Sequence, residues 1–229
     1  MELTELVKYL PFLLDGLVVT LQLSIISIIF SLFFGAVLGA LRFLKIPFIS
    51  QVVACFVELT RSIPLIMYII FIHYTISSYI FYELNFKNIL NLSSTQMQSG
   101  FIALILFTSA YIAEIVRNGL NSIDKEQINS AKSLGLSTYQ TMRYIFVPLA
   151  LYRMMPAILA QFVTLIKDTS LVSAIGLIEL TRSGEIIYEQ THNELEILLL
   201  ISCVYFVICY SLSLVTKKIT NKPFLQANT

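Results

Sequence analysis

The sequence predicts an all-α membrane protein: five transmembrane helices with a two-helix loop on the cytoplasmic face. Three observations predict it. Charged residues are only 13% of the 229, about half the ~25% usual in soluble domains. They are absent from residues 16–41, 62–82, 88–113 and 197–216, and a helix needs roughly 20 apolar residues to cross the ~30 Å hydrocarbon. A fifth apolar stretch, 144–166, is interrupted only by Arg153. The spans therefore fall at about 16–41, 48–82, 97–117, 145–167 and 196–216 of a single domain, 1–229, with a polar loop at 119–147.

In span one Thr20, Ser24, Ser27, Ser31, Gly35 and Gly39 recur every three or four residues, a stripe of small side chains along one face. Helices in lipid associate by close backbone approach, which such a stripe permits. It reads as packing and carries no chemistry. Span two is too long for one straight crossing and breaks near 60–64, among Glu58, Arg61, Ser62 and Pro64. Ser62 is placed to cap the helix that Pro64 opens, since proline is tolerated in a first turn. Glu58 and Arg61 have two readings of equal standing. They line a cavity inside the membrane, or they form an i,i+3 ion pair that neutralises itself at the inner interface.

In the polar loop Asp124 and Gln127 have capping-box spacing, so a helix starts near Lys125. Gly135 supplies the left-handed stop, with Lys132 in the last turn. Ser137 and Gln140 repeat the box, and a second helix runs to Pro148. Ile128, Ala131 and Leu134 share one face of the first helix; Lys125, Asn129 and Lys132 share the other. A helix of roughly ten residues is marginal alone in water. The small residues Ser130, Ala131 and Ser133 favour a partner protein as the surface that stabilises it.

Basic residues orient the bundle. Arg42, Lys45, Arg117, Lys125, Lys132, Arg143, Lys217, Lys218 and Lys222 fall on one side, against Lys8, Lys87, Lys167 and Arg182 on the other. The positive-inside rule then puts the N-terminus outside and both the loop and the C-terminus in the cytoplasm. Residues 179–196, with Glu179, Glu185, Glu189, Glu194 and Glu196, form an acidic outer segment. The first apolar run is too long for a secretory leader and its positive charges follow it, so it reads as a span. A net charge of +1 with no basic run gives no reason to expect nucleic acid as a partner. Cys55, Cys203 and Cys209 read as small apolar residues. His73 and His192 stand apart, with no ligand constellation for a metal. No GxxxxGK[ST] loop occurs, so any ATP is hydrolysed by another chain. No catalytic residue is assigned, since no nucleophile–base pair, HExxH or GxSxG motif is present.

Five segments in order resemble one family. They are YIAEIVR at 111–117, QINSAKSLG at 127–135, IFVPLA at 145–150 with Arg153 and Pro156, and KDTSL at 167–171, with Glu58, Arg61 and Pro64 upstream. The chain resembles the permease subunit of bacterial ABC importers for polar amino acids of the histidine/glutamine/arginine class, over roughly residues 12–218. The resemblance implies a multi-pass protein of the inner membrane that pairs with a second copy of itself or a related permease, the substrate path lying at the dimer axis. It implies that Gln127, Asn129, Ser130, Ala131 and Gly135 belong to a coupling helix docking in a cytoplasmic ABC ATPase subunit, which binds the ATP and Mg. No cofactor is then expected in this chain. A periplasmic or extracellular amino acid-binding protein would deliver substrate to the outer face. The family loop usually reads Glu-Ala-Ala where this chain has Asn129, Ser130 and Ala131, with Gly where it has Glu126. Ser62, Ile63, Tyr68 and Ala160 stand where Gly, Thr, Gln and Asn are common.

A zwitterion crossing hydrocarbon needs partners for both of its charges. Lys167, Asp168, Thr169 and Ser170, placed at the outer end of span four, supply both signs and two hydroxyls. With Glu58 and Arg61 they are the substrate-pathway candidates, set against simple anchoring of a span end. Glu114 and Arg117 are an i,i+3 structural ion pair, and Arg153 either snorkels to the inner interface or pairs with Glu58 or Glu114. The competing function is an ion-gradient-driven secondary amino acid transporter, which would show internal repeats and midplane carboxylates; neither is present.

Overall fold

The structure, a computed structural model, describes residues 3–84 and 94–220; Lys87 and Lys222 lie outside them. It consists of α1 (Leu3–Phe43), α2 (Ile49–Ser62), α3 (Leu65–Leu84), α4 (Thr95–Asn121), α5 (Lys125–Ser133), α6 (Thr138–Thr141), α7 (Val147–Asp168), α8 (Leu180–Thr191) and α9 (Glu194–Thr220). No strand occurs among the described residues. Four helical stretches are long and apolar enough to cross a membrane, and α2 with α3 makes a fifth as a pair bent by 111°.

Helix α4 is the centre, with α1, α2, α3 and α7 packed around it. Its longest seam is with α1, and the small stripe makes it. Thr20, Ser24, Ser27 and Ser31 are buried. Gly35 and Gly39 let the two backbones approach so closely that an added Cβ would sit 2.9 Å from the Ser109 carbonyl or 2.6 Å from that of Ala113. Three hydroxyls of the stripe bond to backbone carbonyls, Thr20 to Gly16, Ser24 to Thr20 and Ser31 across to Ile105, while that of Ser27 is buried with no partner among the described residues. Such bonds satisfy polar groups that lipid cannot. At one end of α4 lie Arg42, Arg117 and α5, the basic end; at the other lie α8 and its glutamates, the acidic end.

Several local expectations are revised. Helix α1 runs 41 residues and starts well before residue 16, because Asp15 ends an apolar window without ending a helix. Ser62 caps nothing: it is the last residue of α2 and its hydroxyl donates back to the Glu58 carbonyl at 2.7 Å. Ile63, forced extended by the following proline, makes the bend instead. The second loop helix does not stop at Pro148. α6 passes through a wide π turn, Met142–Phe146, straight into α7, and the Val147 N–H bonds the Met142 carbonyl five residues back. The wide turn leaves room for the ring and for the donor that proline lacks. The acidic segment 179–196 is not a plain loop: it contains α8, joined to α7 by a 3-10 stretch, Thr169–Ile175, that ends at left-handed Gly176.

Candidate functional site

The basic end is organised by one carboxylate. Glu114 Oε2 lies 2.5 Å from Arg42 Nη1 of α1, 3.2 Å from Arg117 Nε and 3.9 Å from Arg61 Nη1 of α2. Its Oε1 accepts from Arg117 Nη2 and, at 3.2 Å, from Asn118 Nδ2. Arg42 also reaches Glu58, at 3.6 Å, and the Arg61 guanidinium stacks 5.4 Å from the Tyr111 ring. The ion pairs join α1, α2 and α4, so Glu58 and Arg61 do not neutralise each other. They hold the amphipathic α2 across the bundle, with Val53 and Val57 seated on Ala110 and Ala113.

Below this cluster α4 turns through Ser122–Asp124 into α5. Asp124 is the N-cap residue, but its side chain makes no capping bond; the Gln127 N–H takes the Asp124 carbonyl instead, at 3.2 Å. Gly135, at φ 84°, closes α5 with two bonds, Gly135 N–H to Lys132 O at 2.9 Å and Leu136 N–H to Ala131 O at 3.3 Å, the Schellman arrangement. The Ser137–Gln140 box is complete, at 2.8 and 3.2 Å. Ile128 packs inward and Ala131 is buried, so Ala131 offers no approach to a partner. Leu134 is 84% exposed, away from Ile128. Steps of three residues on a helix of 3.6 per turn drift by about 60° each, so two steps carry Leu134 to another face. The outward face is Glu126, Asn129, Ser130, Ser133 and Leu134, around an open cleft. The Gln127 Oε1 is buried without a hydrogen-bond partner among the described residues.

Arg153 forms no ion pair among the described residues; its Nη1 donates to the Ser122 carbonyl. The residues 167–170 do not converge on one point. Lys167 lines a cleft with Ser202, Tyr205, Cys209 and Tyr210, beside the middle of α9 and not at an outer end, because the 3-10 stretch and α8 continue beyond it. Thr169 is buried and donates to the Ile166 carbonyl at 2.7 Å, and Ser170 donates to the Lys167 carbonyl at 2.7 Å. Glu58 and Arg61 lie at the far end of the bundle from them. Val172 touches α4 at Gly100, about 20 Å along the helix from Glu114 at 1.5 Å per residue.

The family described as the binding-protein-dependent transport system inner membrane component matches residues 31–222. The chain belongs to this family. It is 42% identical to a probable glutamine ABC transporter permease protein of Bacillus subtilis (strain 168), over 93% of this chain and 94% of that one. It is 32% identical to a glutamate/aspartate import permease protein of Escherichia coli O157:H7, over 92% and 93%. The solved structure of an amino acid ABC transporter with histidines superposes with a TM-score of 0.81 at 28% identity, covering 96% and 98%. The inward-facing MetNI methionine ABC transporter shares the fold, with a TM-score of 0.67 at 20% identity over 96% and 100%. The chain is thus the membrane-spanning permease subunit of an ABC importer.

One polar centre of the permease was not visible as such in the sequence. Glu179, read only as part of an acidic outer segment, is fully buried where α1, α8 and α9 meet. Its Oε1 accepts from the Arg182 N–H at 2.9 Å, capping α8, and its Oε2 accepts from Tyr205 at 3.0 Å and Thr20 at 3.3 Å. Burial pushes its carboxyl above the ordinary range, and the hydrogen bonds only partly offset this. Thr20 in turn takes the Leu180 N–H at 3.1 Å. No local signal marks it, because its cap is to a backbone N–H that almost any residue at 182 would supply and its other partners come from α1 and α9.

Proposed function

We propose that the chain carries a polar amino acid across the bacterial cytoplasmic membrane, powered by a separate ABC ATPase subunit that holds the ATP and Mg and docks on α5. The observation that carries this reading is the outward face of α5, with Leu134 at 84% exposure beside Asn129, Ser130 and Ser133 on a helix of nine residues. So short a helix is not self-supporting in water, and an exposed leucine on it fits an apolar groove of a partner. The Gly135 cap and the Ser137–Gln140 box hold this face in a fixed attitude. Asn129 and Ser130 replace the family's Glu-Ala, so the groove that receives them is matched to hydrogen bonding and not to a charge.

On this reading the basic end, with α5 and the C-terminus, faces the cytoplasm and the N-terminus lies outside. The acidic end receives an amino acid-binding protein, and two copies, or this chain with a related permease, enclose the path. The named substrates of relatives, glutamine and glutamate or aspartate, support a polar amino acid as the cargo. Lys167 and Asp168, level with the middle of α9, are the charged residues of α7 best placed to meet a zwitterion. Co-expression with the ATPase subunit tests the docking. Leu134→Glu, or a scrambled 127–136, should insert in the membrane but lose the ATPase on purification; undiminished co-purification overturns the docking.

A further inference from the structure

Helix α5 hangs from the C-terminus of α4 by three residues, Ser122–Asp124, and is joined on its other side through Gly135 and α6 to α7, so a docked ATPase moves α4 and α7 as one body only where the elbow is gripped. Three contacts grip it, from α7 and the π turn that leads into it. Gly119 has no side chain where Met154 enters; an added Cβ would lie 2.1 Å from Met154 Cγ. Ile123 is buried in one cluster with Phe146, Ala150, Met154 and Ile158. Arg153 donates from Nη1 to the Ser122 carbonyl.

Ser122 is the C-cap of α4, its N–H already turned back to the Asn118 and Gly119 carbonyls and its hydroxyl to Gly119 at 2.7 Å. The Ser122 carbonyl therefore stands at the negative end of a 27-residue helix, where a guanidinium is attracted and a neutral group is not. Packing alone would not require arginine here. The Arg153 guanidinium has no carboxylate partner among the described residues and directs its charge at this carbonyl. An open cleft lined by Ile115, Asn118, Gly119, Ser122, Arg153, Met154 and Ala157 surrounds the contact, so beside the packing of Met154 the Arg153 bond is the polar hold on the elbow.

We infer that Arg153 is a positioning residue of the transport cycle: it clamps the α4 side of the elbow to α7, so that displacement of α5 by the ATPase moves α4 together with the span that carries Lys167 and Asp168. This rests on the importer reading. Without the clamp the ATPase still docks on the outward face of α5, which Arg153 does not touch, but the elbow yields and hydrolysis is wasted.

The test uses the whole complex, with ATPase and binding protein, in proteoliposomes, and reads radiolabelled glutamine taken up per ATP hydrolysed. That ratio does not respond to a mere loss of folded protein. Arg153→Gln should co-purify the ATPase normally and lower the ratio about tenfold, within the range of ordinary coupling between sites. Arg153→Lys, which keeps a charged donor, should recover most of it. Arg153→Met, which keeps the apolar stem and removes every donor, reads the same bond if Arg153→Gln does not assemble, and it too should lower the ratio. An unchanged ratio in Arg153→Gln, or in Arg153→Met should that first variant be lost, overturns the clamp. Absence of ATP-linked uptake by the unaltered chain of every labelled polar amino acid offered, glutamine, glutamate and aspartate included, would overturn the importer reading itself.

Discussion

Gly39→Ala puts one methyl group into the α1–α4 seam. Its Cβ would lie 2.6 Å from the Ala113 carbonyl oxygen and 2.7 Å from Val116 Cβ, while ordinary contact begins at 3.4 Å. The first of these neighbours is backbone and cannot rotate away, so the two helices must part by several tenths of an ångström along a seam of buried hydroxyls. Overpacking of this kind destabilises by about 1–3 kcal/mol, and each kcal/mol lowers the melting temperature of a chain this long by roughly 2–4 °C. Circular dichroism of the detergent-solubilised protein on heating measures it, with Val37→Ala as the control on the opposite, lipid-facing side of α1, where the side chain is 44% exposed. The control should stay within about 0.5 kcal/mol of the parent, as substitutions away from packed sites do. Gly39→Ala melting with the parent, or Val37→Ala losing as much, would refute the seam as the small stripe's purpose.

Two further perturbations separate the polar centres. Glu114→Gln leaves Arg42, Arg61 and Arg117 without their shared charge and should destabilise by about 2 kcal/mol, less than a fully buried pair costs because the cluster is partly exposed; Glu58→Gln, whose side chain is 64% exposed, should cost under about 1 kcal/mol. Equal losses on chemical unfolding would contradict a single organising carboxylate. For Glu179 the folded protein binds its proton more tightly than the unfolded chain, so its contribution is most favourable below the ordinary glutamate range and is lost as pH rises through the raised pKa. The melting temperature should therefore fall across that window in the parent and fall less in Glu179→Gln; parallel pH profiles would show that burial does not perturb this carboxyl.

Features set by local chemistry were legible in the sequence. The small stripe of α1 declares itself by its spacing, Gly135 by the positive φ that only glycine adopts freely, and the Ser137–Gln140 box by two complementary side chains three residues apart. Features set by distant chain were not. Glu114 takes its partners from α1 and α2, and Arg42 lies 72 positions away, so an i,i+3 reading saw only Arg117. Glu179 looked like one surface glutamate among five, because nothing near it in sequence announces Thr20 and Tyr205. Pro148 looked like a stop because the π turn that absorbs it has no residue signature of its own. Leu134 shared a three-residue rhythm with Ile128 and Ala131, and the slow rotation of that rhythm carried it outward.

The most direct test of the account is glutamine uptake into proteoliposomes holding this permease, its ATPase subunit and binding protein, with ATP and the ion gradient varied separately. An ATP-driven permease takes up substrate only with ATP hydrolysis, and that uptake persists when ionophores abolish the gradient. Uptake that survives ATP depletion and collapses with the gradient would contradict the importer reading.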